Sequence, residues 1–140
     1  MFTPANDIEK AMVAAAADRT KRDAFYKAFL EGQIFYSPQG ERPADGSLGK
    51  IAVATQPGHE PAAALFTSER HLREVLGQKV QSASLLGFDL LRAVRGKPVR
   101  VNPNLDYFTH WSAAEVEAIL AASLRLTPRP RAIISEDPSE

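Results

Sequence analysis

The chain has 140 residues, 44% of them hydrophobic and 24% charged, with 17 basic against 17 acidic side chains and no cysteine. That length fits one domain, able to bury about two thirds of the surface its unfolded chain exposes without a covalent staple. The lack of thiols excludes disulfides, thiolate nucleophiles and zinc–thiolate centres, and the balanced charge gives no electrostatic case for nucleic acid or an anionic membrane as partner.

Residues 1–7 have neither a basic stretch nor an apolar core, so no secretory signal is expected there. The longest apolar run, residues 11–17, is far too short to span a bilayer. A cytoplasmic protein is the expectation. Asn6 and Glu9 read as a capping box that opens a first helix, with Ile8 and Met12 as a narrow apolar stripe. Asp18 to Thr20 interrupts the pattern. A second helix then runs to about Glu31, capped by Thr20 with Asp23 and closed by Gly32. Phe25 and Phe29 share one face of it and are expected in the core.

Residues 33–37 are β-prone, and residues 38–49 form a Pro- and Gly-rich loop. Residues 50–55 are apolar on both alternating faces, which predicts a strand covered on both sides. After a turn at residues 56–61, residues 62–66 are expected to return as its antiparallel partner. Thr67 or Ser68 caps a third helix with Leu72, Val75 and Leu76 inward, and Gly77 closes it. Residues 79–81 are a brief strand candidate. Ser84 then caps a largely buried fourth helix, ended by Gly96 and Pro98.

Val99-Arg100-Val101 alternates as a strand, with Arg100 and Asn102 expected on the face opposite the valines. Asn102-Pro103-Asn104 is a turn, and residues 106–109 are a further extended piece. Ser112 and Glu115 form a second capping box, with Trp111 placed to pack on Val116. Val116, Ile119 and Leu120 face inward from a fifth helix. From Thr127 the prolines break any helix. Residues 127–140 are expected to be a Pro-containing, partly disordered acidic tail, with residues 132–134 able to add an edge strand.

Several of these strings, in this order, resemble the N-terminal domain of the SseB-like (enhanced serine sensitivity) proteins of bacteria. They are Asn6-Asp7-Ile8-Glu9, Phe25 with Phe29-Leu30, Leu65-Phe66-Thr67-Ser68, Val101-Asn102-Pro103, and the helix opened by Ser112 and Glu115. The resemblance covers about residues 5–122. It implies a mixed-sheet α/β domain named for a growth phenotype, and it supplies no catalytic residues. A second domain like that of longer members is not expected after residue 126.

The histidines at 59, 71 and 110 lack metal-pair spacing and read as surface or boundary residues. Ser84 and Ser112 lie outside any nucleophile elbow, and residues 46–49 lack the lysine of a phosphate loop. Arg92, Arg95, Lys97 and Arg100 form a local basic cluster that helix-end compensation accounts for, unless it meets an anion or an acidic partner. The expectation is therefore a single α/β (α+β) domain over residues 1–126, with a mixed four- to five-stranded sheet and about five helices. No cofactor, metal or catalytic residue is assigned. The leading function is a non-enzymatic protein-interaction or binding module, meeting a protein partner or a second copy. The alternative is a small-ligand or anion sensor, or an enzyme, with Arg95, Arg100, Asn102, Asn104 and His110 around the Asn102–Pro103 turn.

Overall fold

The computed structural model describes residues 6–40, 48–58 and 60–126. Five α-helices and six strands follow one another as α1 (Asp7–Ala17), α2 (Arg22–Glu31), β1 (Gln33–Tyr36), β2 (Val53–Ala54), β3 (Ala62–Leu65), α3 (Glu69–Leu76), β4 (Ala83–Leu86), α4 (Gly87–Ala93), β5 (Val99–Val101), β6 (Thr109–Trp111) and α5 (Ala113–Leu126). A four-stranded mixed sheet has the order β2-β3-β5-β6, and β1 pairs with β4 as a second, antiparallel ribbon. A bridge between Phe35 and Phe66 ties the ribbon to the sheet. This is a single α+β domain.

β3 is buried along its whole length and pairs with β2 antiparallel and with β5 parallel, Ala63 opposite Val99 and Leu65 opposite Val101. Successive strand residues point to opposite faces, so β3 feeds two cores. Ala63 and Leu65 join the larger one, with Phe25, Phe29 and Leu30 of α2, Leu90 and Leu91 of α4, and Val116 and Ile119 of α5. Ala64, with Phe66 just beyond the strand, meets Leu72 of α3 on the other side. Trp111 sits among Phe25, Tyr26 and Phe29, edge-on to Phe29 at 5.1 Å between ring centroids. The second capping box forms, Glu115 N–H donating to Ser112 Oγ (3.1 Å) and Ser112 N–H to Glu115 Oε1 (2.9 Å).

Five expectations change. Residues 83–86 are strand β4 rather than the first turn of a helix, and residues 79–81 lie in the loop before it. Pairing with β1 holds residues 83–86 extended, up to Gly87, whose N–H donates to Gly32 O (2.8 Å) and where a Cβ would run into the Phe29 carbonyl. The chain enters α4 at that contact. Asp18, not Thr20, accepts from Thr20 N–H at the start of a 3₁₀ turn (Arg19–Lys21), and α2 begins without a side-chain cap. Gly32 is extended (φ −104°) and is small because Ile8 lies where its Cβ would be, so it provides close approach of α1 rather than a left-handed cap. In the 50–55 segment only Val53 and Ala54 are strand, and Val53 is exposed rather than covered on both sides. The acidic tail and its edge-strand candidate lie outside the described residues.

Candidate functional site

The parallel pair β3–β5 runs out at Thr67 and Asn102. Ala63 N–H donates to Pro98 O (2.9 Å) and Asn102 N–H to Leu65 O (2.8 Å). By the spacing of a parallel ladder, the next rung would join Thr67 N–H to the backbone carbonyl of Asn102. Asn102 instead turns to φ 55°, and its backbone carbonyl accepts from Leu105 N–H (3.2 Å). Its side-chain Oδ1 takes the vacated place, accepting from Thr67 N–H at 3.1 Å. Asparagine tolerates the left-handed region better than most residues and carries a peptide-like amide. It can therefore end the strand and supply the rung. That conformation breaks the alternation, so Asn102 points inward, apart from Arg100.

Around this rung lies a closed polar junction. Asn102 Nδ2 donates to Thr67 Oγ1 (2.9 Å), and Thr67 Oγ1 donates to Glu9 Oε2 (2.6 Å). His71 Nε2 stands 3.2 Å from the same Glu9 oxygen, and its Nδ1 is 2.6 Å from Glu74 Oε1. Glu9, Thr67 and Asn102 are 0% exposed and His71 2%, whereas Glu74 is half exposed. Asn6 accepts from Glu9 N–H (2.8 Å) and donates to Thr67 O (2.8 Å), which fixes the start of α1 on the strand end. Buried polar groups hold their place by satisfying one another. Here they join α1, α3 and the carboxyl ends of β3 and β5.

The exposed chemistry lies across the β5–β6 pair. Arg100 is opposite His110 in register, with Nε 3.4 Å from His110 Nδ1. The Arg100 guanidinium also lies over the Phe108 ring, 5.5 Å from its centroid, and Phe108 is 53% exposed. The rest of the basic cluster is separately occupied. Arg92 lies over the Phe88 ring at 5.6 Å. Arg95 makes a two-pronged contact with Glu117, both bonds 2.8 Å. Those hydrogen bonds hold Arg95 above and Glu117 below their ordinary pKa values.

Of the five residues proposed from the sequence, the fold brings Arg100 and His110 together. Asn102 is buried behind them, Asn104 is exposed in the turn at φ 66°, and Arg95 is engaged with α5. Glu9 and Thr67 are legible in the sequence only as helix caps and His71 only as a surface or boundary residue, whereas His71 is buried. The available signal was modest: Glu9 flanks the Ile8–Met12 stripe, and His71 lies one turn from Val75. Among the described residues no group of three or more His, Asp or Glu side chains is gathered to hold a metal ion, and no helix is long and apolar enough to cross a membrane.

No curated protein and no solved structure matches the chain. The family model of the SseB protein N-terminal domain matches residues 8–118, from the first turn of α1 into α5. That span contains Glu9, Thr67, His71 and Asn102, together with Arg100, Phe108 and His110. The chain belongs to the SseB N-terminal domain family.

Proposed function

We propose that the domain is a non-enzymatic binding module of the bacterial cytoplasm, and that it meets a protein partner or a second copy of itself through the exposed face of β5 and β6. The supporting observation is the Arg100–Phe108–His110 group. An aromatic ring more than half exposed, with a guanidinium over it, is costly to leave in water and gains when covered, because a cation–π contact strengthens on desolvation. Arginine and large aromatic side chains also dominate the residues that carry binding energy at interfaces. A small-ligand site at the Asn102–Pro103 turn would have to do without the Asn102 amide, whose oxygen and nitrogen are both bonded inside.

The test is capture on the immobilised domain, followed by affinity measurement for the captured partner with wild type, Phe108→Ala and Arg100→Glu. Truncating a true anchor costs about 2 kcal/mol or more, roughly thirtyfold in affinity, with the thermal melt little changed. If the occupant is a second copy, light scattering reports a dimer that Phe108→Ala disperses. Binding or self-association indifferent to both substitutions removes this face from the proposal.

A further inference from the structure

At the opposite end of β5 from Asn102 lies a concavity of about 390 Å³ that neither the buried junction nor the Phe108 face uses. Its apolar lining includes Leu48, Ile51, Val53, Ala63, Ala93 and Val94. The small side chain of Ala63 stands between Val53 on one neighbouring strand and Val99 on the other. Val53 is 48% exposed, one of three large apolar side chains that the described residues leave open to solvent.

The charged lining is of one sign. Lys50, Arg95 and Lys97 border the pocket, and among the described residues no acidic one does. Arg95 is engaged by Glu117. Lys50 and Lys97 have no partner among the described residues, which leaves them as the available cations of the rim. Their backbones are held from both sides. Gln39 N–H donates to Lys50 O (2.9 Å), Lys97 N–H donates to Val94 O (3.3 Å), and Ala63 N–H donates to the adjacent Pro98 O (2.9 Å). The basic cluster between Arg92 and Arg100 thus resolves into three arginines with contacts of their own and one lysine turned to this cavity.

We propose that this pocket binds a compact amphiphilic carboxylate, its apolar body against Val53 and Val94 and its carboxylate between the Lys50 and Lys97 ammonium groups. The volume lies at the small end of ligand sites, which run from about 300 to 1,000 Å³ and combine an apolar lining with a few placed polar groups. The cationic rim of the described residues selects an anionic head over a cationic one, and the exposed Val53 side chain beside it selects an amphiphile over a bare anion. The site is independent of the partner face proposed above, so either can fail alone.

The experiment is titration of sodium octanoate, octylammonium chloride and sodium acetate into the 15N-labelled full chain, followed by amide shifts. Octanoate is expected to move the resonances of residues 50, 51, 53, 63, 94 and 97 as one saturable set. Octylammonium and acetate should bind about tenfold more weakly or worse. The double variant Lys50→Glu with Lys97→Glu should lose octanoate by a similar factor and take octylammonium instead. Val53→Asp is a second variant that leaves the lysines in place, and it should also weaken octanoate. Phe108→Ala should leave octanoate binding unchanged. Equal binding of the two octyl probes overturns the proposal. So do shifts scattered over the surface, affinity indifferent to the charge reversal, or no saturable shift.

Discussion

Thr67 shows how much a single hydroxyl can hold. It accepts from Asn102 and donates to Glu9, so Thr67→Val keeps the shape and takes one hydrogen bond from each of two buried polar groups at once. Leaving a buried group unsatisfied costs about 1–3 kcal/mol, more where it is charged. Thr67→Val should therefore lower the unfolding free energy by at least about 1–3 kcal/mol, read as a lower urea midpoint, while Thr67→Ser retains both bonds and loses less. Equal losses for the two variants would mean that packing rather than hydrogen bonding matters at this position. Asn102 was legible in the sequence as a turn residue, because asparagine before proline is a strong local signal. Its inward direction was not, since strand alternation assigns it to the side of Arg100, and only the positive φ reverses that. Glu9 and His71 were harder still. Each has a sufficient local explanation as a helix residue, and what makes them special is a partner on another element.

Among elements, the start of α5 and strand β4 behave differently. The α5 capping box was readable because its partners are three residues apart, and Ser112→Ala should cost about 1 kcal/mol, measurable as a drop in denaturation midpoint. Residues 83–86 were not readable as a strand. Four apolar or small residues before a helix look like more helix, and the antiparallel pairing with β1 that decides the matter is non-local. Gly87 marks the change. With the Phe29 backbone in the way of a Cβ, Gly87→Ala must displace α4 from α2 and should destabilise by about 1–3 kcal/mol or more. Gly96→Ala makes a useful contrast, since its cost comes from φ 88° alone with open space around it.

For the molecule as a whole, the acid limb of stability follows from exposed carboxylates with partners. Hydrogen bonds from Arg73 and then Ser82 lower Glu69, those from Arg95 lower Glu117, and those from Thr20 lower Asp18. A carboxyl held below its unfolded value, 4.5 for these glutamates, contributes stability that is complete above that value. The contribution disappears as the pH falls through the lowered folded value. Melting temperature should thus decline with falling pH below the ordinary carboxylate range, less steeply in Glu69→Gln/Glu117→Gln, and added salt should shrink the difference because all three groups face solvent. At the other end burial raises Tyr26 above its ordinary 10.0. The neutral phenol is favoured in the fold, and that part of the stability is lost as pH rises through the raised value. Helix count, mixed pairing and one-domain size were legible, because periodicity and turn residues are local. The strand order was not, nor was the placement of β3 between two cores, because both depend on contacts that alanine-rich segments do not advertise.

The rung that Asn102 completes has one more consequence, for chemical ageing. Asparagine converts to aspartate chiefly when the backbone nitrogen of the next residue attacks the side-chain amide, and Pro103 has no N–H with which to do so. The one amide that substitutes for a strand carbonyl is thereby shielded from becoming a carboxylate, which would lose the donor that meets Thr67 and place a second negative charge near buried Glu9. In a chain aged under mild alkali, peptide mapping should find Asn102 intact after other asparagines have begun to convert.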